Sequence, residues 1–226
     1  MILGKKPIGT IGYMGGVLTV PEPFAWSFAQ MVQYNTEYLC EPGQVVHYER
    51  ATVSYHAYAR NCLVERLRGD WLLMLDTDHQ FEPDLAARML HRLEQNSLDV
   101  LVGLYHYKSP PHSPVLYRWG KKGLQPLGQW QRFKEPYLVP IGSSGAGCLM
   151  VRRQVFEKIR ATGQSPFDII PPFSEDHSFF KRLARLKIKA YCDPTIEYHH
   201  LAWKPLAAAD FDASAVPLSR RYATKE

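Results

Sequence analysis

Two aspartates with one residue between them, Asp76 and Asp78, end the apolar run of WLLMLDTDHQF. In extended chain, residues two apart point to the same side, so the two carboxylates are expected to converge where the run stops. Like charges brought together at the end of a buried element are costly unless a cation or a proton relieves them. Carboxylate oxygens suit Mg2+ or Mn2+, ions that share their coordination with substrate phosphates. The plain alternative is that Asp78 starts the turn before the next helix.

Three further groups carry residue types that do chemistry. CDPTIEYHH closes on His199 and His200, and a neutral imidazole also suits Mn2+. SEDHSFF sets Glu175 and Asp176 side by side, where acids in a first helical turn also favour the macrodipole. In IGSSGAGCLMV, the small residues Gly145, Ala146 and Gly147 let backbone approach a sugar or phosphate closely. Because no Gly-Lys-Ser/Thr follows, this is no phosphate-binding P-loop.

Elements that alternate strand and helix must position these groups. Pro7 to Ile11 reads as a first strand before the glycine-rich IGYMGG. A helix is expected from Pro23 to Tyr38, a second strand over Gly43 to Arg50, and a helix from Ser54 that ends at Gly69. Trp71 to Leu75, apolar throughout, suits a parallel strand covered on both faces. Pro83 opens the next helix, with Leu85, Met89 and Leu93 inward and Leu90 beside them, and Asp99 to His106 is the next strand. Lys108 to Pro140, rich in Pro, Gly and aromatics, suggests loops and a small antiparallel hairpin. A strand into a helix follows from Gly145, then a helix from Ser174 with Phe179, Leu183 and Leu186 inward, then two short extended pieces. The layout is α/β in one domain over residues 1–206, with a polar, Ala-rich tail over 207–226. In open α/β sheets ligands sit outside the carboxyl ends of the strands, where the aspartate pair falls.

With 226 residues and 46% hydrophobic content, the chain can bury a sizeable core, and 12% aromatic residues argue against disorder. A net charge of +5 admits a polyanionic partner without demanding one. The four cysteines are scattered without a close ligand pair, which suits reduced thiols rather than zinc. Neither a leader nor a stretch of ~20 apolar residues is legible, so a soluble cytoplasmic protein is expected.

An apolar strand, Asp-Thr-Asp and the helix begun by FEPDL together resemble the glycosyltransferases of the GT-A fold, especially the family-2-like group of bacteria and phages. The resemblance covers Pro7 to Leu201. It implies a Rossmann-like, mixed and mostly parallel central sheet flanked by helices, with a small antiparallel acceptor-side region. In that family the Asp-x-Asp motif holds the divalent ion bound to the donor diphosphate. YARNCLVERLRGDW resembles the helix whose arginine faces the nucleotide-sugar, which makes Arg60 a donor-binding candidate; an exposed helix charge is the alternative. Asp76 and Asp78 join it on the donor side, with Thr10 after strand one and Arg50 after strand two as positional candidates. Where family members often carry an aspartate for the base, this chain has Glu49 and Arg50. The Glu-Asp pair is similar to the family motif whose aspartate is the general base, so Asp176 is the candidate base and Glu175 its neighbour in positioning or acceptor binding. A late histidine as a further ligand, His200 matching the family pattern better than its neighbour His199, makes the metal set Asp76, Asp78 and His200. Gly145, Ala146 and Gly147 resemble the family's acceptor-side glycine segment. Tyr117, Trp119 and Trp130 are candidate acceptor-side platforms or packing residues.

The resemblance implies metal-dependent (Mn2+ or Mg2+), inverting transfer of a hexosyl or pentosyl group from a UDP- or GDP-linked sugar to an acceptor hydroxyl. The acceptor is not legible; DNA with hydroxymethylated bases, which phage relatives glycosylate, is one class. Two other readings fit parts of the chain: a noncatalytic domain binding sugar or nucleic acid, and an Asp-x-Asp phosphatase. The phosphatase pattern has Thr or Val where Gln80 stands and places its motif near the N-terminus.

Overall fold

The computed structural model describes residues 5–15, 19–52, 55–121, 123–127, 138–202 and 205–206. Gly16, Ser54, Trp130 and the tail 207–226, which enter the expectations above, lie outside the described residues. β1 (Lys6–Met14) is flanked by β2 (Gln44–Ala51) and β3 (Trp71–Asp76) and runs parallel to both. Helix α1 (Glu22–Tyr34), extended by a π-helical turn over Asn35–Leu39, and α2 (His56–Glu65) make the crossovers.

Here the sequence reading needs two corrections. β1 continues past Ile11, because Ile11 through Met14 pair with both neighbouring strands. Thr10 is therefore mid-strand and fully buried rather than at the strand's end. Its hydroxyl donates to the Arg68 carbonyl and accepts from the Arg68 N–H, both at 2.8 Å. That tie draws the chain onto β1 and ends α2 at Glu65, well before Gly69.

β4 (His79–Gln80), α3 (Leu85–Gln95) and β5 (Val100–Leu104) come next. Pro83 and Asp84 form the turn ahead of α3, and Leu85, Met89, Leu90 and Leu93 are buried, as their spacing predicts. The expected hairpin is β6 (Leu116–Gly120) with β7 (Gly123–Pro126). β8 (Val139–Ile141), β9 (Ser143–Ser144), β10 (Cys148–Arg152), α4 (Arg153–Arg160), α5 (Glu175–Arg185), β11 (Ala190–Glu197), β12 (His199–Leu201) and β13 (Pro205–Leu206) complete the order.

The main sheet runs β2-β1-β3-β10-β5-β11-β8, with β10 and the edge strand β8 antiparallel to their neighbours. The alternation of β3 explains its all-apolar sequence. Trp71, Leu73 and Leu75 pack with α1 and α3 on one face, while Leu72 and Met74 pack with α2, α4 and α5 on the other. The four cysteines are free thiols, and burial pushes Cys148 up to about 12. No helix among the described residues is long and apolar enough to cross a membrane.

Strand direction decides what gathers at one rim. β10 enters antiparallel beside β3, so the residues just before it lie at the carboxyl end of β3, where the Asp76 N–H donates to Gly147 O at 2.9 Å. β5 and β11 are parallel to each other and antiparallel to β10, hence aligned with β3. The chain after each of them leaves at this same rim: Tyr105 to Lys108 from β5, Tyr198 to Leu201 from β11. Helices that precede parallel strands begin there too, which brings in the first turn of α5.

Candidate active site

Arg60, in the middle of α2, is only 3% exposed. Its guanidinium donates to Asp76 Oδ1 (Nη2, 3.1 Å), to the Ala146 carbonyl (Nη1, 3.0 Å) and to Glu175 Oε1 (Nε, 3.4 Å). Burial alone works to lower its pKa. The Asp76 and Glu175 carboxylates, with Asp176 behind them, outweigh that and raise it. Three candidates read from separate stretches of sequence thus meet on a fourth, the buried Arg60 cation. The exposed-charge alternative for Arg60 is excluded by its burial.

The two aspartates part company after β3. Thr77 and Asp78 form a bend, so strand alternation stops at Asp76 and the expected convergence of the carboxylates on one point gives way to two sets of partners. Asp78 Oδ2 accepts from Lys108 Nζ at 2.7 Å and lies 3.1 Å from His200 Nε2, while Oδ1 lies 2.9 Å from His79 Nδ1. Burial works to raise the Asp78 pKa, but contacts with His200, His79 and Lys108 hold it far below the usual carboxylate range.

His200 and His79 are held in place around it. β12 pairs with β4 so that His200 stands opposite His79, and the two rings stack at 4.2 Å. Tyr198 covers His79 from the other side at 4.2 Å. The His200 Nδ1 faces the carbonyl of His106 at 2.7 Å, so Nδ1 carries the hydrogen. In the neutral ring Nε2 is then a lone pair aimed at a carboxylate oxygen, and two acceptors that close need a proton or a cation between them. His79 is 1% exposed, and its ring nitrogens have no hydrogen-bond partner among the described residues; the short Asp78 contact is off the angle a hydrogen bond needs. Burial lowers its pKa, which favours the neutral ring. Asp78, His79 and His200 offer ligand atoms all within 4.8 Å of one another. One carboxylate and two imidazoles, one of them fixed by a carbonyl behind it, form a set that could hold a divalent metal ion.

The sequence model for "Glycosyl transferase family 2" matches residues 29–160, more than half of the 226. The chain belongs to glycosyl transferase family 2. Its fold is shared with the crystal structure of A197 from STIV, at 18% identity and a TM-score of 0.54 over 85% of each chain. Residues 1–349 of TarS from S. aureus also share it, at 12% identity and a TM-score of 0.51. That match takes in 85% of this chain and 60% of the TarS chain. No curated protein matches in sequence.

In this family 2 chain, Asp176 sits in the first turn of α5 behind the N-cap Ser174. The Ser174 hydroxyl and the His177 N–H (2.6 Å) both donate to its Oδ1. Arg50, the residue before the end of β2, is exposed at the same rim and lies against Gly15. Glu49 is engaged by His47 at 2.8 Å and Arg66 at 3.6 Å. Tyr117 meets the His177 ring edge-on and its hydroxyl contacts that of Tyr107. The face of Trp119 is covered by Lys181 Nζ at 4.6 Å, and Phe173 packs edge-on against it, so that ring is packed rather than open.

Close approach requires a glycine at position 145 and leaves little room for a side chain at Gly147. A Cβ on Gly145 would fall 2.0 Å from the Tyr105 hydroxyl, and one on Gly147 would fall 3.0 Å from Asp76 Oδ2. Gly145→Ala is therefore expected to displace the buried Tyr105 and destabilise the chain by about 1–3 kcal/mol. Thermal melting checks this; an unchanged melting temperature would show that Tyr105 yields freely.

Sequence reasoning missed His79 and Lys108. His79 reads as the residue after a motif, and only its pairing with β12 reveals its place. Lys108 lies in a Pro-rich stretch without periodicity.

Proposed function

We propose that the chain transfers a sugar, with inversion, from a nucleoside-diphosphate sugar to an acceptor hydroxyl, and that it depends on a divalent ion. The observation that supports this most is the Arg60 network, which binds the Asp-x-Asp strand, the glycine segment and the Glu-Asp helix start into one unit. Asp78, His79 and His200 would hold the ion, whose chemistry when bound is to neutralise the departing diphosphate. Arg50 lies where the nucleotide would cross the strand ends. Arg60 and Asp76 shape the floor beneath the donor, and Thr10, buried within β1, takes no part.

Asp176 accepts the proton of the acceptor hydroxyl. As it does so, the oxygen bonds to the anomeric carbon from the face opposite the diphosphate. The bond from that carbon to the diphosphate oxygen breaks, and the nucleoside diphosphate leaves with the electron pair. Glu175, next to Asp176 in the chain and held by Arg60, positions the turn that carries Asp176.

The test is release of UDP or GDP from a panel of sugar nucleotides, with Mn2+, Mg2+ or EDTA, against glycan, peptide and hydroxymethylated DNA acceptors, the last admitted by the net charge of +5. Product configuration is read by NMR. Retention at the anomeric carbon would remove Asp176 from its role, and equal turnover in EDTA would remove the ion. Asp78→Asn keeps the shape of the side chain but removes its charge. It is expected to weaken Mn2+ binding more than about 100-fold, beyond the usual effect of losing an outer-shell partner. Electron paramagnetic resonance titration measures this, and wild-type affinity in the variant would rule Asp78 out as a ligand.

A further inference from the structure

The Asp78 carboxylate already has a cation. Lys108 Nζ lies 2.7 Å from Oδ2, the same oxygen that faces His200 Nε2. Of the three groups around Asp78, two are fixed. His79 is sandwiched between aromatic rings, and His200 is pinned by the carbonyl of His106. Lys108 differs: it stands on irregular chain between β5 and β6, its side chain is 43% exposed, and four rotatable bonds carry its ammonium. An ion pair this exposed adds little to stability, so parting it costs little. An ammonium and a divalent ion sharing Oδ2 repel at contact distance, so each weakens the other's hold on it.

We propose that Lys108 is an exchangeable counter-cation, which neutralises Asp78 until a divalent ion displaces it and then turns onto the phosphates that arrive with that ion. This rests on the metal-dependent reading above. A lysine is suited to the second position because its ammonium binds phosphate as a point charge without demanding a fixed geometry. The exchange keeps the empty site from gathering uncompensated negative charge, and it couples ion entry to the appearance of a phosphate-binding group.

The exchange requires opposite effects from one substitution. In Lys108→Met, Mn2+ measured alone by electron paramagnetic resonance should bind about 2- to 5-fold more tightly, the strength of the exposed pair it no longer competes with. UDP and GDP, measured by calorimetry in saturating Mn2+, should bind about 10-fold or more weakly, as expected for a lost hydrogen bond from a charged group. In an Asp78→Asn background the gain in Mn2+ affinity should vanish. Mn2+ binding that appears only in the variant also supports the exchange. If wild type binds Mn2+ and the variant matches it in both affinities, the exchange is overturned while the metal reading stands. Parallel weakening of both affinities also overturns it, assigning Lys108 to the site's architecture. If neither protein binds Mn2+, and nucleotide binding in EDTA depends on Lys108, the exchange and the metal reading fail together.

Discussion

Asp176→Asn is expected to reduce sugar transfer by about 10²- to 10⁴-fold, the range of a single general base, while leaving Mn2+ and nucleotide affinity unchanged. The substitution is close to isosteric. An amide oxygen still accepts from the Ser174 hydroxyl and the His177 N–H, so the first turn of α5 keeps its geometry. What is lost is a basic oxygen able to take the hydroxyl proton. A lesser loss accompanies it, because a negative charge near a helix N-terminus contributes about 0.3–1 kcal/mol. The variant should therefore melt slightly lower and still bind donor. The measurement is nucleotide release with the acceptor returned by the donor screen, alongside calorimetry with UDP and GDP. A rate near wild type would dismiss Asp176 as the base. A fall in rate matched by a fall in donor affinity would assign it to binding instead.

The parts of this site that were legible in the sequence share one property: local pattern sets them. Trp71 to Leu75, apolar throughout, suits a parallel strand covered on both faces; it is a strand buried on both faces, parallel to β1 but antiparallel to β10. The spacing of Leu85, Met89 and Leu93 placed the inner face of α3. The strand into a helix after Gly147 and the helix after Ser174 carry local apolar patterning, the latter with two acids in its first turn. The misreadings have the opposite character, since long-range partners decided them. β1 extends to Met14 because strands on both sides pair with it. α2 stops early because a hydroxyl in β1, 58 residues away along the chain, binds the backbone at Arg68.

The site itself divides the same way. Residue types announced Arg60, Asp76, Asp78, Glu175, Asp176 and His200, but not how they would be grouped. Extended-chain geometry put both aspartates on one target, and the bend at Thr77 and Asp78 separates them, one to Arg60 and one to Lys108 and the histidines. The antiparallel entry of β10 is the least local feature of all. It carries Ala146 and Gly147 to the end of β3, which lets Arg60 reach a carbonyl 86 residues further along the chain.

Arg60→Ala should damage the fold's interior as well as the site. The guanidinium is 3% exposed, and removing it leaves the Asp76 and Glu175 carboxylates facing one another without a cation. Breaking a buried ion pair from one side typically costs about 3–5 kcal/mol. The Asp76 side chain is 29% exposed, so water takes over part of its solvation and the lower end of that range is expected. At roughly 2–4 °C per kcal/mol for a chain of this size, melting should fall by about 6–12 °C. Arg60→Lys separates charge from shape: an ammonium keeps the sign but cannot span the three acceptors that Nε, Nη1 and Nη2 reach. It should recover much of the stability yet remain slow in transfer, because Asp76, the glycine segment and the start of α5 are no longer held in one frame. A double-mutant cycle with Asp76→Asn isolates the pair, and its coupling energy should exceed about 0.5 kcal/mol, the level expected of contacting residues. A melting temperature unmoved by Arg60→Ala, or additive effects in the cycle, would mean that the three segments hold their places without the guanidinium.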